Sequence, residues 1–289
     1  MGVLRYAAFT TDPAGGNPAG VVLDATGADE AAMARTAAEV GYSETAFVVP
    51  RGDAGDSGAD GGHLDVRYFS PLAEVPFCGH ATIATAVAYA RVHGVGDLTF
   101  HTAAGEVPVS TRIAPDGSVV AALVSVAPRT VPITDAQLDA LLRVLGWSCD
   151  DLDPALPPRV AYAGAWHPVL AAASRERLAD LDYDMDALGG LMSEHGWTTV
   201  DLVWRESATR YHARNPFPPG GVVEDPATGA AAAALGGYLR EQGLVKAPGA
   251  GRFTVFQGYD MGRPSTIGVT VPAEAGSGVT VTGTAVPIV

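Results

Sequence analysis

The chain has 289 residues, 47% of them hydrophobic, and 18 Lys plus Arg against 32 Asp plus Glu give a formal net charge of −14. That length accommodates one large domain or two of about 140 residues, either of which buries a sizeable core. The acidic balance argues against nucleic acid or an anionic membrane surface as partner, since both need clustered cations.

Lys246 is the sole lysine. A Schiff-base or pyridoxal-phosphate enzyme needs a buried, activated lysine amine, and Lys246 stands in Leu244-Val245-Lys246-Ala247-Pro248, which reads as a surface turn. Cys78 and Cys149 are too few for a disulfide framework. The N-terminus lacks a basic region followed by an apolar run, Tyr6 stands where a myristoylation signal has Ser or Thr, and no apolar stretch reaches 18 residues. These features predict a soluble, cytoplasmic protein.

In chain order, residues 3–10 read as a strand, and Asp12-Pro13-Ala14-Gly15-Gly16-Asn17-Pro18 as a turn. A second strand covers residues 20–23. Residues 29–40 are helical in pattern, with Asp29 and Glu30 in the first turn and Gly41 as the stop. Thr45 to Val49 is a strand ended by Pro50, residues 51–62 a mobile Gly/Asp-rich hairpin loop, and residues 63–69 the returning strand. After Phe77-Cys78-Gly79-His80 comes a helix over residues 81–93, apolar nearly all round and therefore buried. Short strands follow to about residue 127.

The second half repeats the plan. A polar helix over residues 135–145 precedes strands, a loop from Arg214 to Gly221, and then Glu224-Asp225-Pro226-Ala227-Thr228-Gly229 opening a second apolar helix over residues 230–242. Tyr89 and Tyr238 are 149 residues apart, as are Gly94 and Gly243. A period of half the chain predicts two similar domains rather than a solenoid. The expected architecture is α+β, each half a bent, mostly antiparallel sheet around one buried helix. The boundaries are 1–126 with a returning strand at about 277–289, and 127–276.

The two buried helices begin with Gly79 and Gly229. The first N–H groups of a helix lack internal partners, the aligned dipoles make that end positive, and glycine admits close approach. Two such starts could hold a carboxylate without any lysine; alternatively they are ordinary caps. Glu44 opens an apolar strand, where an ionised carboxylate is costly unless it has a partner or a task; it could equally be an exposed strand-end charge. His80 sits in the first turn of its helix, and Asp225 precedes the second helix, where it could be a plain capping residue. Cys78 beside His80 suggests a nucleophilic thiol, yet residues two apart at a helix start do not normally face each other, and a small buried apolar role is common for cysteine. The seven histidines show no metal-ligand spacing, and Walker A and Gly-x-Ser-x-Gly motifs are absent, so no metal is expected.

Six segments in order carry a family resemblance: Gly16-Asn17-Pro18-Ala19-Gly20-Val21, Ser43-Glu44-Thr45-Ala46-Phe47-Val48, Glu74-Val75-Pro76-Phe77-Cys78-Gly79-His80-Ala81-Thr82, Glu224-Asp225-Pro226-Ala227-Thr228-Gly229, Gln257-Gly258 and Gly262-Arg263-Pro264-Ser265. The chain resembles the PhzF-like phenazine-biosynthesis family, which has the diaminopimelate epimerase-like fold. The resemblance implies two pseudo-symmetric halves with the active site between them, a last strand returning to the first half, a homodimer, and no metal or organic cofactor. It places the catalytic glutamate on Glu44, the partner histidine on His80 and the acidic residue on Asp225. The substrate carboxylate falls to Gly79, His80, Gly229 and Ala230, with Cys78 and Tyr42 as further substrate contacts. Ala230 replaces the family's usual Ser. No cysteine opens the second helix, which speaks against a two-thiol racemase.

The resulting expectation is a cofactor-independent isomerase moving a proton on a small, unsaturated amino acid, with Glu44 as shuttle. Its rivals are epimerisation at Cα, with Cys78 or Asp225 opposite Glu44, and a non-catalytic small-molecule binding protein.

Overall fold

The computed structural model describes residues 1–51, 62–245 and 251–289. The expected hairpin loop before His63 and the turn at Lys246 fall outside the described residues. Contacts divide the chain into residues 1–124 with 282–289, and residues 125–281.

In the first unit, β1 (Leu4–Ala8) pairs antiparallel with β2 (Asn17–Val22), and β2 pairs parallel with β3 (Thr45–Pro50). The parallel step needs a crossover, supplied by α1 (Glu30–Val40), whose N-cap Asp29 accepts from the Ala32 N–H and whose end is Gly41 in the left-handed region, as its sequence indicates. β4 (Gly62–Phe69) runs antiparallel to β3 and carries the short β5 (Glu74–Val75) on its other edge. Next comes α2 (Gly79–His93), then β6 (Asp97–Thr102) parallel to β4, β7 (Gly105–Ile113) and β8 (Val119–Val124). The C-terminal strand β17 (Thr280–Pro287) pairs with β8 and with β1, closing eight strands into a barrel. Closure leaves no free edge. α2 packs on β1, β2, β3, β7 and β8, and its small residues Ala81, Ala84, Ala86 and Ala88 let the strands come close on every side.

In the second unit, β9 (Arg129–Pro132) leads through α3 (Asp135–Leu145) to β10 (Arg159–Tyr162) and β11 (Trp166–Ala171), joined antiparallel. α4 (Arg175–Ala179) and α5 (Met185–His195) cross over to β12 (Asp201–Ser207), which lies parallel to β11. β13 (Arg210–Phe217), β14 (Val222–Asp225), α6 (Gly229–Glu241), β15 (Gly251–Gln257) and β16 (Ser265–Val271) then repeat the pairing directions of β4, β5, α2, β6 and β7. The segment expected as a loop from Arg214 is strand up to Phe217. Arg214 and Asn215 have buried partners, and Pro216 faces Glu224 beside an irregularity in the ladder, a position that tolerates proline. Among the described residues no helix is long and apolar enough to cross a membrane.

Two glycines allow close approaches at β2, one in the turn that opens it and one inside the strand. Gly16 has φ +64°, and a Cβ there would meet the Ala8 carbonyl oxygen at 2.4 Å. Gly20 lies opposite Thr45, whose Oγ1 would be 2.5 Å from an added Cβ.

Candidate active site

Glu44 is the residue immediately before β3, and its backbone carbonyl accepts from the Gly20 N–H at 3.1 Å. That bond continues the β2–β3 ladder and sets where the carboxylate emerges. His80 is the second residue of α2 and Cys78 its N-cap. The Cys78 thiol donates to Glu44 Oε2 at 3.4 Å and lies 3.3 Å from His80 Nδ1, while His80 Nε2 is 3.3 Å from the same Glu44 oxygen. Cys78 and His80 therefore do face each other, against the expectation from their spacing. Cys78 still has extended backbone, φ −143° and ψ 116°, so its side chain does not follow helical geometry. Glu44 is the exposed member, its side chain 15% accessible against 7% for His80. Ser43, the neighbour of Tyr42, brings its Oγ to 3.4 Å from His80 Nε2.

The cluster is anchored from below. Thr82 Oγ1 donates to the Cys78 carbonyl at 2.7 Å and is itself 2.7 Å from the Tyr68 hydroxyl. Burial pushes the Tyr68 phenol far above its ordinary range, so it stays neutral.

The start of α2 has no side-chain cap, and neither does that of α6. Backbone N–H groups of the first turns are thus not taken by the N-cap side chains Cys78 and Thr228, as anion binding requires. Gly79 is half-buried, Gly229 buried, and Ala230 half-buried.

In the second unit, Asp225 ends β14, three residues before the N-cap of α6. The N-cap is Thr228, so Asp225 is not the capping residue. Thr228 instead donates its hydroxyl to Asp225 Oδ2 at 2.5 Å. Gln257, buried at the end of β15, donates to the Asp225 carbonyl at 2.7 Å and to Thr228 Oγ1 at 2.9 Å, and accepts from the Thr228 N–H at 3.0 Å. One amide thus clamps the turn that presents Asp225. The neighbouring Glu224 is buried against Arg214: Nε lies 3.1 Å from Oε1 and Nη2 2.6 Å from Oε2, and Arg214 Nη1 donates to the Ala179 carbonyl at 2.7 Å. This bidentate pair pins β14 to β13. A pattern of an acid followed by an acid does not reveal which is structural; the buried arginine across the ladder decides it.

Chemically, Glu44 is a carboxylate with one exposed edge, a thiol and an imidazole as neighbours, and uncapped helical N–H groups adjacent. That is the equipment for removing and returning a proton next to a bound carboxylate. Glu44 and Cys78 are in contact, with 3.4 Å between Oε2 and Sγ. Glu44, Cys78 and His80 also place one potential metal-ligating atom each within 4.8 Å of the others.

Comparison with known proteins gives the family. Residues 6–289 match the family described as phenazine biosynthesis-like protein, PhzC-PhzF. The uncharacterized isomerase YddE of Escherichia coli K12 is 32% identical over 290 residues, covering 98% of this chain and 95% of that protein. The trans-2,3-dihydro-3-hydroxyanthranilate isomerase of Pseudomonas fluorescens is 32% identical over 263 residues, covering 89% and 86%. A crystal structure of a PhzF-family protein of Bacillus anthracis superposes with a TM-score of 0.87 at 26% identity, covering 99% and 96% of the two chains.

Proposed function

The chain belongs to the PhzC-PhzF family of phenazine biosynthesis-like proteins and is an isomerase, and from that premise we propose that it moves a proton on a small, unsaturated amino acid with Glu44 as the shuttle. The observation that carries the proposal is the Glu44 carboxylate, accessible on one edge and hydrogen-bonded by Cys78 beside the uncapped start of α2. The substrate carboxylate takes N–H groups at a helix start, those of Gly79 and His80 in the unit that carries Glu44; Gly229 and Ala230 are the corresponding groups at the start of α6. Charge that grows as the adjacent C–H is lost is stabilised there. Glu44 removes that proton and returns it elsewhere on the π system, while His80 and Asp225 hold the amine or hydroxyl. No metal or organic cofactor takes part in this scheme. The protein works as a cytoplasmic homodimer on a small molecule, without nucleic acid or membrane partners.

The Pseudomonas relatives supply a first test substrate, trans-2,3-dihydro-3-hydroxyanthranilate. In D₂O the wild type should place one deuterium on the product at the carbon that is reprotonated, and Glu44→Gln should abolish both turnover and exchange. Survival of both in Glu44→Gln would remove Glu44 as the shuttle. Deuterium at Cα with inversion would instead establish epimerisation.

A further inference from the structure

We infer that Asp201 keeps a proton on Oδ2 and donates it to the Asn215 amide oxygen, and that this acid–amide pair positions Asp225. The first clause stands on strands β12 and β13 alone; the second rests on the reading of Asp225 as part of the isomerase site.

Three polar residues stand in a row across adjacent strands. Leu202 of β12 faces Arg214 of β13, so Asp201 faces Asn215, and Asn215 faces Asp225 of β14. Directly opposite residues project from the same sheet face, with Cβ atoms about 4.5–5.5 Å apart. All three are buried. Asn215 Nδ2 donates one hydrogen to Asp201 Oδ1 at 3.3 Å and the other to Thr199 Oγ1 at 3.1 Å. Among the described residues, Asp201 Oδ2 and Asn215 Oδ1 then have no hydrogen-bond partner. Both are acceptors if the acid is ionised, and a buried acceptor without a donor is costly. A carboxyl and an amide have matching forks, so a pair joined at Oδ1 and Nδ2 can close its other arm through one proton on Oδ2. That proton satisfies both oxygens at once. Turning the amide over would set its oxygen against Asp201 Oδ1, where a proton is needed just as much.

No neighbouring charge calls for an ionised Asp201. Burial pushes its carboxyl up to about 7, with only the Asn215 bond opposing. On β11, His167 reaches the row through Thr199 and is itself buried, its imidazole pushed down to about 4. On β13 and β14, Arg214 and Glu224 are the sequence neighbours of Asn215 and Asp225, so they project from the opposite face, where they pair with each other. The arginines of α4, which packs on β12 and β13, are bound to Asp260 and Asp180, and its Glu176 lies in the first turn. α6 starts with Gly229 and a run of alanines and brings no charge to this end.

With the proton in place the pair locks the Asn215 side chain, and Asn215 carries Asp225 as its ladder partner. Loss of the proton sets a carboxylate oxygen against the amide oxygen and buries a negative charge two strands from Asp225. Asp201 and Asn215 are thus positioning residues, and their hold on Asp225 lasts while Asp201 is protonated.

The test uses the full chain and starts without substrate. Wild type carrying ¹³C-labelled aspartate carboxyls should show, by infrared spectroscopy in D₂O at pH 6, the C=O stretch of a protonated carboxyl that fades through about pH 7 and is missing in Asp201→Asn. Its absence from the wild type, or its persistence in Asp201→Asn, overturns the pair. The backbone amide resonance of Asp225 should titrate with the same midpoint in wild type and lose that transition in Asp201→Asn; an Asp225 signal indifferent to Asp201 overturns the positioning role. Asn at position 201 supplies a permanent neutral donor of the same shape. With trans-2,3-dihydro-3-hydroxyanthranilate as substrate, the ratio of Asp201→Asn to wild type in kcat/KM should therefore rise about tenfold from pH 6 to pH 8, as one deprotonation near 7 requires. Asp201→Leu, without a donor, should be impaired across the range. A flat ratio with the infrared band present overturns the positioning role and leaves Glu44 as the shuttle. The infrared and resonance readouts involve no turnover, so failure of the isomerase reading leaves the acid–amide pair to be decided by them.

Discussion

Beside the strand that presents Asp225 lies a buried polar network whose protonation state makes a measurable prediction. His167 Nδ1 is 2.9 Å from Thr199 Oγ1, Asn215 Nδ2 donates to Thr199 Oγ1 at 3.1 Å and to Asp201 Oδ1 at 3.3 Å, and Asn215 is the ladder partner of Asp225. Both titratable groups are sealed from water, His167 at 0% and Asp201 at 2% accessibility. Burial pushes the Asp201 carboxyl up to about 7, with the Asn215 bond opposing, and pushes the His167 imidazole down to about 4, with Thr199 opposing. Both groups are therefore uncharged in the folded protein between those values.

The two shifts act on stability in opposite directions. Asp201, raised from about 3.9, adds stability that is complete below about pH 4 and is lost as pH rises toward 7, about 4 kcal/mol in all at about 1.36 kcal/mol per unit. His167, lowered from about 6.5, adds stability that is complete above about pH 6.5 and is lost as pH falls toward 4, about 3 kcal/mol. Over pH 4–6.5 the slopes cancel, so the wild type should match the Asp201→Asn/His167→Asn double variant in pH dependence. Asp201→Asn alone should lose about 3 kcal/mol between pH 7 and 4, and His167→Asn alone about 4 kcal/mol between pH 4 and 7. Urea unfolding at half-unit steps of pH, each variant referenced to the double, measures both. If Asp201→Asn has the same slope as the wild type, Asp201 is ionised in the fold and the reasoning fails.

Further outcomes can be checked in the same protein. Gln257→Ala removes the amide's bonds to the Asp225 carbonyl and to Thr228 and should lower kcat more than tenfold with little change in KM, at a stability cost of about 1–3 kcal/mol; an unchanged kcat would show that the clamp does not matter. Arg214→Met strands the Glu224 carboxylate and should cost about 3–5 kcal/mol, which Arg214→Met/Glu224→Leu should largely recover; denaturation midpoints of the two variants decide it. Thr82→Val strands the buried Tyr68 hydroxyl and removes the side-chain bond to the Cys78 carbonyl, which keeps the Thr82 backbone N–H, and should cost about 1–3 kcal/mol, with Thr82→Ser restoring most of it; a neutral Thr82→Val would remove Thr82 as the anchor of the cluster.

How much of this was legible in the chain depended on whether the signal was local. Gly41 as a stop, Asp29 as a cap and the all-apolar helices follow from neighbours in sequence, and each is where its pattern places it. Glu44, His80 and Asp225 were found through a motif resemblance, but their partners were not. Ser43, Thr82 and Tyr68 act on the α2 start across separations of 4 to 37 residues, and Gln257 acts on Asp225 across 32. An amide or hydroxyl with such a task looks like any other in a string of letters. The Cys78–His80 contact was misjudged because helical spacing was applied to a residue whose backbone is still extended. The strand at Arg214 was misread because its prolines suggested a loop, while the ion pair that holds it lies ten residues on.

The internal repeat shows the same limit. By strand register Gly20 corresponds to Val169, Thr45 to Asp201 and Tyr68 to Arg214, so equivalent positions lie from 146 to 156 residues apart. Two crossover helices replace one between β11 and β12, and no single period survives that insertion. Within this frame Tyr68 and Arg214 stand at equivalent places, Tyr68 bonded to Thr82 of α2 and Arg214 to Glu224 of β14, but the residue ahead of the next strand differs. The position before β3 carries Glu44; its counterpart before β12 is Val200, fully buried. By the same register the counterpart of Asp225 is Glu74, which faces Phe69 as Asp225 faces Asn215 and is paired with Arg67. A carboxylate at the Val200 position would sit in an apolar core with no equivalent of Cys78 or His80, since Thr228 and Ala230 stand at those places. Both units therefore keep a helix start without a side-chain cap, while Glu44, Cys78 and His80 stand together in one of them only.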